Sequence, residues 1–194
     1  MADTKISAMP SASTLTGAEL VPLVQGGINV QTTLNGVKAF ANKVYGAWHS
    51  TQTQTASTTA GTAITYNVQD VVDSVTLVSG SRITVPVTGV YNLQFSAQLK
   101  NTDNAQNIAT IWVKINGNDV GATATNVTVP SRKTSNIYGY GVAAWNFFLD
   151  MNANDYVELY WLVESTLVTM EALPSSATPA YPSIPSVIVT ICEV

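Results

Sequence analysis

Between residues 82 and 101 the chain reads RITVPVTGVYNLQFSAQLKN, and from Tyr91 to Lys100 apolar and polar residues alternate without a break. Tyr91, Leu93, Phe95, Ala97 and Leu99 fall in one set, and Asn92, Gln94, Ser96, Gln98 and Lys100 in the other. A period of two places the sets on opposite faces of an extended strand. One face then rests on an apolar core while the other meets water, as in antiparallel rather than parallel sheets. Gly89 supplies the turn before this strand, and Pro86, lacking an N–H, keeps the preceding strand from pairing on both sides.

Similar short runs follow one another from residue 64 onward. The pattern predicts strands at 62–68, 74–78, 82–85, 89–100, 106–115 and 119–129, then at 139–149, 156–163, 167–173 and 186–193. Asn116-Gly117 is the strongest two-residue hairpin turn in the chain. No helical periodicity of useful length appears after Asn42. An antiparallel sandwich of about eight to ten strands is the expected architecture.

Two of these strands are apolar on both faces. In 156–163, Val157, Leu159, Trp161 and Val163 form one face, and Tyr156, Glu158, Tyr160 and Leu162 the other. In 143–149, Trp145, Phe147 and Leu149 turn inward and leave Phe148 and Ala144 opposite. One face packs in the sandwich, and the second needs a cover, either a subunit interface, where aromatics are enriched, or a long loop.

The first 45 residues read differently. Residues 1–17 are rich in Ser, Ala and Thr, with few large apolar groups. Residues 19–25 and 28–34 are two β-prone runs around Gly26-Gly27, a hairpin signal. Asn35 is placed to cap a short helix over 36–42 that carries Val37 and Phe40 on one side. A lone hairpin with one or two helical turns is marginal in water, so this segment calls for a partner surface. Residues 44–69 contain no Asp, Glu, Lys or Arg, and 50–61 are low in complexity. The expected organisation is an N-terminal arm over 1–45, a Thr-rich linker over 46–63 and a β-domain over 64–194.

Composition sharpens the picture. Of 194 residues, 46% are hydrophobic but only 10% are charged, against about a quarter in ordinary globular chains. The surface is therefore built from Thr, Ser, Asn and Gln, suited to close association or attachment. A net charge of -4, with no basic cluster beyond Arg132-Lys133, argues against nucleic acid as a partner. The single Cys192 forms no internal disulfide and reads as a packing residue in an alternating strand. No apolar run reaches membrane-spanning length and the first ten residues lack a signal-peptide core, so the expectation is a soluble protein made in the cytoplasm with no membrane partner.

Candidate chemistry is sparse. His49 is the one histidine, beside Trp48 in a Thr-rich stretch, and reads as a surface or hinge residue. Asp150 to Asp155 begins like a calcium loop, but its sixth position is Asp155 rather than Gly and its twelfth is Trp161 rather than Glu. The turn reading is preferred. Glycosidase chemistry needs two carboxylates in one cleft, and Glu158, Glu164 and Glu171 are scattered singly on late strands. No catalytic residue, cofactor or metal ligand is assigned, and an enzyme is not expected. Tyr138, Tyr140 and Tyr181 offer a sugar-stacking platform on loops, although 174–185 reads more simply as a cover along a sheet edge.

Several blocks resemble a C-terminal module of tailed-bacteriophage structural proteins: Gly89-Val-Tyr-Asn-Leu-Gln-Phe-Ser-Ala-Gln98, Ile111-Trp-Val-Lys-Ile-Asn-Gly-Asn-Asp119, Val142-Ala-Ala-Trp-Asn-Phe147, Asp155-Tyr-Val-Glu-Leu-Tyr-Trp161 and Ile184-Pro-Ser-Val-Ile-Val-Thr190. Their order is also similar to the jelly roll of the complement globular head and tumour necrosis factor group. There a late turn reads Gly-Asp-x-Val; here it is Ala153-Asn154-Asp155-Tyr156-Val157, and Asn tolerates the left-handed backbone that Gly would supply. Lys5-Ile-Ser-Ala-Met-Pro10 and Leu15-Thr-Gly-Ala-Glu-Leu-Val-Pro-Leu-Val-Gln-Gly-Gly27 are similar to the opening of phage fibre and head-attachment proteins.

The jelly-roll resemblance implies a homotrimer around a threefold axis, with Phe148, Tyr156, Tyr160 and Leu162 at the subunit interface. The N-terminal resemblance implies a virion anchor through Leu20, Val21, Pro22, Leu23, Val24, Ile28, Val30, Leu34 and Phe40, held by the major capsid protein or another virion protein. Together they point to a bacteriophage virion protein, a trimeric capsid decoration, cement or head-fibre protein. The alternative is a receptor-binding tail-fibre or tip protein that recognises host surface polysaccharide.

Overall fold

The structure, a computed structural model, describes residues 13–41 and 43–194, without the side chains of Ala39 and Phe40. The quoted stretch Lys5 to Pro10 and the Phe40 side chain therefore lie outside the described residues. The chain divides into two compact units, Met1–Asn42 and Lys43–Val194, which moves the expected arm boundary from residue 45 to residue 42.

In the first unit, β1 (Leu20–Gln25) and β2 (Ile28–Thr33) form the expected antiparallel hairpin, in register from Leu20 opposite Thr33 to Gln25 opposite Ile28. Gly26 and Gly27 take φ of 59° and 78°, the left-handed pair that a tight type I′ turn demands and that only Gly adopts without strain. Helix α1 (Leu34–Ala41) follows at once. Its cap is Thr33 rather than Asn35: Gly36 N–H donates to Thr33 Oγ1 at 3.1 Å, the bond an N-cap hydroxyl makes to the third helical amide. Asn35 lies inside the first turn, so the helix starts two residues earlier than expected.

The second unit contains β3 (Tyr45–Ser50), β4 (Gln54–Thr55), β5 (Thr62–Ala63), β6 (Val68–Asp73), β7 (Thr76–Val78), β8 (Arg82–Thr84), β9 (Gly89–Asn101), β10 (Asn107–Ile115), β11 (Asn118–Asp119), β12 (Thr125–Val129), β13 (Gly139–Met151), β14 (Tyr156–Val163), β15 (Val168–Met170), β16 (Ser176–Ala177), β17 (Ala180–Tyr181) and β18 (Val187–Glu193). One seven-stranded sheet places β13, β9, β18, β3 and β6 side by side, with β15 and β4 continuing it beside the far end of β9. The other places β10 between β14 and the β11 and β12 pair, with β5 and β8 on the far side of β14 and β7 beyond β8. Every pairing among the described residues is antiparallel, so the fold is an all-β one of two facing sheets.

The inward sets of both sheets form a single core. Tyr91, Leu93, Phe95, Ala97 and Leu99 of β9 are all buried, as the alternation required, and meet Val157, Leu159, Trp161 and Val163 of β14 in one cluster. Each such side chain contributes roughly 1.5–3 kcal/mol by leaving water. Asn116 and Gly117, at φ of 51° and 80°, turn β10 into β11.

Residues 46–63 are not a linker. Gly46, Trp48 and Ser50 are buried on the inward face of β3, which lies between β18 and β6, and Trp48 is only 1% exposed. The Thr/Gln-rich stretch after β3 is fastened by side-chain amides. Gln54 Oε1 accepts from Thr65 N–H and Gln54 Nε2 donates to Thr65 O, both at 2.9 Å. Asn67 Oδ1 accepts from Thr51 N–H at 2.9 Å. These side chains satisfy backbone groups that a neighbouring strand would otherwise pair, which is how a charge-free sequence becomes ordered. The expected strand over 62–68 divides because the chain crosses there from one sheet (β5) to the other (β6). The expected strand over 119–129 breaks at Ala122, whose φ is 62°.

Candidate functional site

The candidate anchor residues share the first unit but not one face of it. Cross-strand register puts Leu20, Pro22 and Val24 on one side of the hairpin and Val21, Leu23, Ile28 and Val30 on the other. A groove of about 510 Å³ runs between Leu23, Val24 and Thr32 of the hairpin and Gly36 and Val37 of α1. None of residues 13–38 is buried, nor is Ala41; Leu20, Val24 and Ile28 are each more than 60% exposed.

The four candidate interface residues separate as well. Phe148 stands 62% exposed on the outer face of β13, in line with Val142 and Tyr140. Tyr156, Tyr160 and Leu162 project from β14, on the outer face of the other sheet. Much of the cover that the two-faced pattern of β14 required comes from the same chain. Tyr160 packs against Trp112 at 5.9 Å between ring centres and carries Lys114 Nζ 4.7 Å above its ring. Tyr156 carries the Arg82 guanidinium at 4.8 Å. Gly61 sits so close to Trp112 that a Cβ there would come within 2.6 Å of the indole.

The three scattered glutamates have separate partners. Glu158, 4% exposed, accepts from Ser81 Oγ at 2.6 Å, and its charge adds to the burial that pushes the Tyr66 phenol far up. Glu164 Oε2 accepts from Ile108 N–H. Glu171 pairs with Lys100, whose ammonium lies 4.2 Å above the Tyr138 ring. Burial disfavours the Lys100 charge, but the Glu171 hydrogen bond and charge outweigh it and raise the ammonium above its ordinary value. Tyr138 and Tyr140 gather at this pair, whereas Tyr181 stands on β17. Within Asp150 to Asp155, Asp150 and Met151 end β13, and residues 152–155 form the turn into β14. Asp155 accepts from Asn116 Nδ2 at 2.7 Å and Asn152 N–H at 2.8 Å, which hold its carboxyl low, and Asn154 takes φ of 71°.

A groove of about 680 Å³ in the second unit lies where the sequence showed least. Its floor is His49 of β3, Asp70 of β6 and Ile188 of β18, all facing away from the core. Its wall is the segment 172–185, which folds back through an antiparallel bridge from Leu173 to Ile184 and carries β16 and β17. That segment does cover the sheet, but it leaves this groove beneath it. His49 Nδ1 lies 2.9 and 3.0 Å from the two Asp70 oxygens. A carboxylate only accepts, so Nδ1 carries the proton and Nε2 is the free ring nitrogen. Asp70 owes its position to a β-bulge: Ala47 pairs with Val71 and Trp48 with Gln69, leaving Asp70 unmatched. Bulges re-aim a side chain in this way.

Asp70 and Ser183 went unnoticed in the sequence. The alternation of Gly46, Trp48 and Ser50 was the available signal that His49 faces outward; nothing in the residue order signals a bulge. Neither the known protein-family models nor the curated proteins contain a match to this chain.

Proposed function

We propose that this chain is a non-enzymatic structural protein of a bacteriophage virion, attached through its N-terminal unit and projecting a trimeric jelly roll, in the manner of a capsid decoration, cement or head-fibre protein. The observation that carries this reading is the first unit itself. It folds as a hairpin and a helix, yet none of residues 13–38 is buried, and Leu20, Leu23, Val24, Ile28, Val30 and Val37 stand exposed. A two-stranded sheet of this size gains too little from its own contacts to persist alone. A surface on a particle supplies the missing layer.

The jelly-roll reading is supported by strand order. β3, β18, β9 and β13 adjoin in one sheet, β8, β14, β10 and β12 in the other, and apart from the paired β10 and β12 these strands alternate between the sheets along the chain. Trimerisation is supported by the face around Phe148 and by the edge beside it. β13 pairs along its thirteen residues with β9 and with no other strand among the described residues. It carries no Lys, Arg or Pro, the residues that commonly blunt a free edge. Three N-terminal units on one trimer would raise the effective concentration of each contact, so individually weak contacts hold the whole assembly in place.

The test is removal of residues 1–42. The shortened protein is expected to stay soluble and trimeric by light scattering while no longer co-sedimenting with particles. Co-sedimentation of the shortened protein would overturn the anchor, and a monomer before and after Phe148→Asp would overturn the trimer.

A further inference from the structure

We infer that the groove over β3, β6 and β18 is a binding site for a neutral saccharide, with the His49–Asp70 pair as its polar centre. This inference holds wherever on a particle the chain resides, since it rests on the second unit alone.

Three observations carry it. First, the groove is of ligand size, about 680 Å³, within the range of roughly 300–1,000 Å³ typical of small-molecule sites. Second, its polar centre is built. The bulge at Asp70 spends a regular ladder position to bring both carboxylate oxygens to His49 Nδ1, which fixes the imidazole and leaves Nε2 to bond a ligand. A solvated surface histidine needs no such support. Third, the lining fits one chemistry. Leu173, Pro174, Ile184 and Ile188 offer apolar contact for the C–H face of a pyranose. Thr51 and Ser183 add hydroxyls that both donate and accept. His49 and Asp70 are the only ionisable groups among the lining residues and are bonded to each other, so the lining offers no unpaired cation to an anionic ligand. A ring with one apolar face and several hydroxyls satisfies all of these partners.

The experiment uses the full-length chain and saturation-transfer NMR with trisaccharides of glucose, galactose, mannose and N-acetylglucosamine, and a trigalacturonate as the anionic counterpart. At least one neutral probe is expected to receive saturation while the anionic probe does not. His49→Phe should weaken that binding about tenfold or more, as expected for a lost hydrogen bond to an oriented group. Ser183→Ala should weaken it less, and both variants should keep the parent melting temperature within a few degrees. Should His49→Phe fail to fold, Ser183→Ala and Thr51→Val serve for the comparison. Silence from every neutral probe, preference for the anionic one, or binding unmoved by the groove variants would each overturn the inference. So would cleavage of a probe, which would make the pair a catalytic one, or a change of oligomeric state in the groove variants, which would assign the groove to a second copy.

Discussion

The two units are made of the same material and behave oppositely. Both are antiparallel, both turn through glycine-containing pairs in left-handed conformation, and both carry frequent Val, Leu and Ile. In residues 43–194 one sheet lies over another, and side chains such as Trp48, Leu93 and Trp161 vanish from the surface. In residues 13–41 a hairpin meets one short helix, and Leu20, Val24 and Ile28 remain in water. An apolar pattern therefore specifies which elements form, while stability comes from a second layer to close on. The first unit has the pattern without the layer.

Three measurements press on this contrast. The largest effect belongs to the core. Trp161→Ala should lower the unfolding free energy by about 3–5 kcal/mol, whereas Ile28→Ser should stay within about 0.5 kcal/mol, both read from urea unfolding. Equal losses from the two would abolish the distinction between the units. Next comes Gly139, where an added Cβ would sit 1.8 Å from the Pro130 carbonyl oxygen. Because backbone must move, Gly139→Ala should cost about 1–3 kcal/mol; a neutral outcome would mean that the 130–139 connection is looser than drawn.

The smallest effect is local to the first unit. Glu19 accepts from Thr16 N–H, Thr16 Oγ1 and Gly17 N–H, each at 2.8 Å. The Thr16 backbone bond leads in lowering its carboxyl from 4.5 to about 2. A lowered folded value means that the contribution of these bonds is complete above pH 4.5 and disappears as pH falls through about 2. Amide shifts of Thr16 and Gly17 should follow that low titration, while the amides of β9 stay still. A midpoint at the ordinary glutamate value would show that the turn is open.

How much of this could be read from the residues depended on whether one strand sufficed to reveal its own environment. β9 was legible in full, because each odd position between 91 and 99 is apolar and each even one polar. The two turns at Gly26-Gly27 and Asn116-Gly117 were legible because few residues accept left-handed backbone. β3 was not. Its inward positions are Gly46, Trp48 and Ser50, of which only one looks hydrophobic; glycine is there because Trp48 already fills the space, a Cβ on Gly46 falling 2.2 Å from that indole. Thr33 outcompeted Asn35 as cap because the hairpin, a nonlocal element, decided where the helix could begin. The His49 groove was least legible of all. It depends on a one-residue slip between β3 and β6 and on a wall contributed by chain far along the sequence, as with Ala172 and Thr53 at a separation of 119.

The pairing of β3 with β18 has a bearing on how the protein comes into being. Ser50 and Ser186, hydrogen-bonded where β3 ends and β18 begins, are 136 residues apart. During synthesis Trp48 leaves the ribosome long before Val189, its partner on the flanking strand. Chains dominated by such distant contacts fold on the order of milliseconds to seconds, and here closure waits for β18. Until then β3 and β9 present adjacent vacant ladders, and a neighbouring nascent chain with the same β18 is a ready substitute. Folding in a crowded polysome thus carries a built-in route to strand-exchanged multimers.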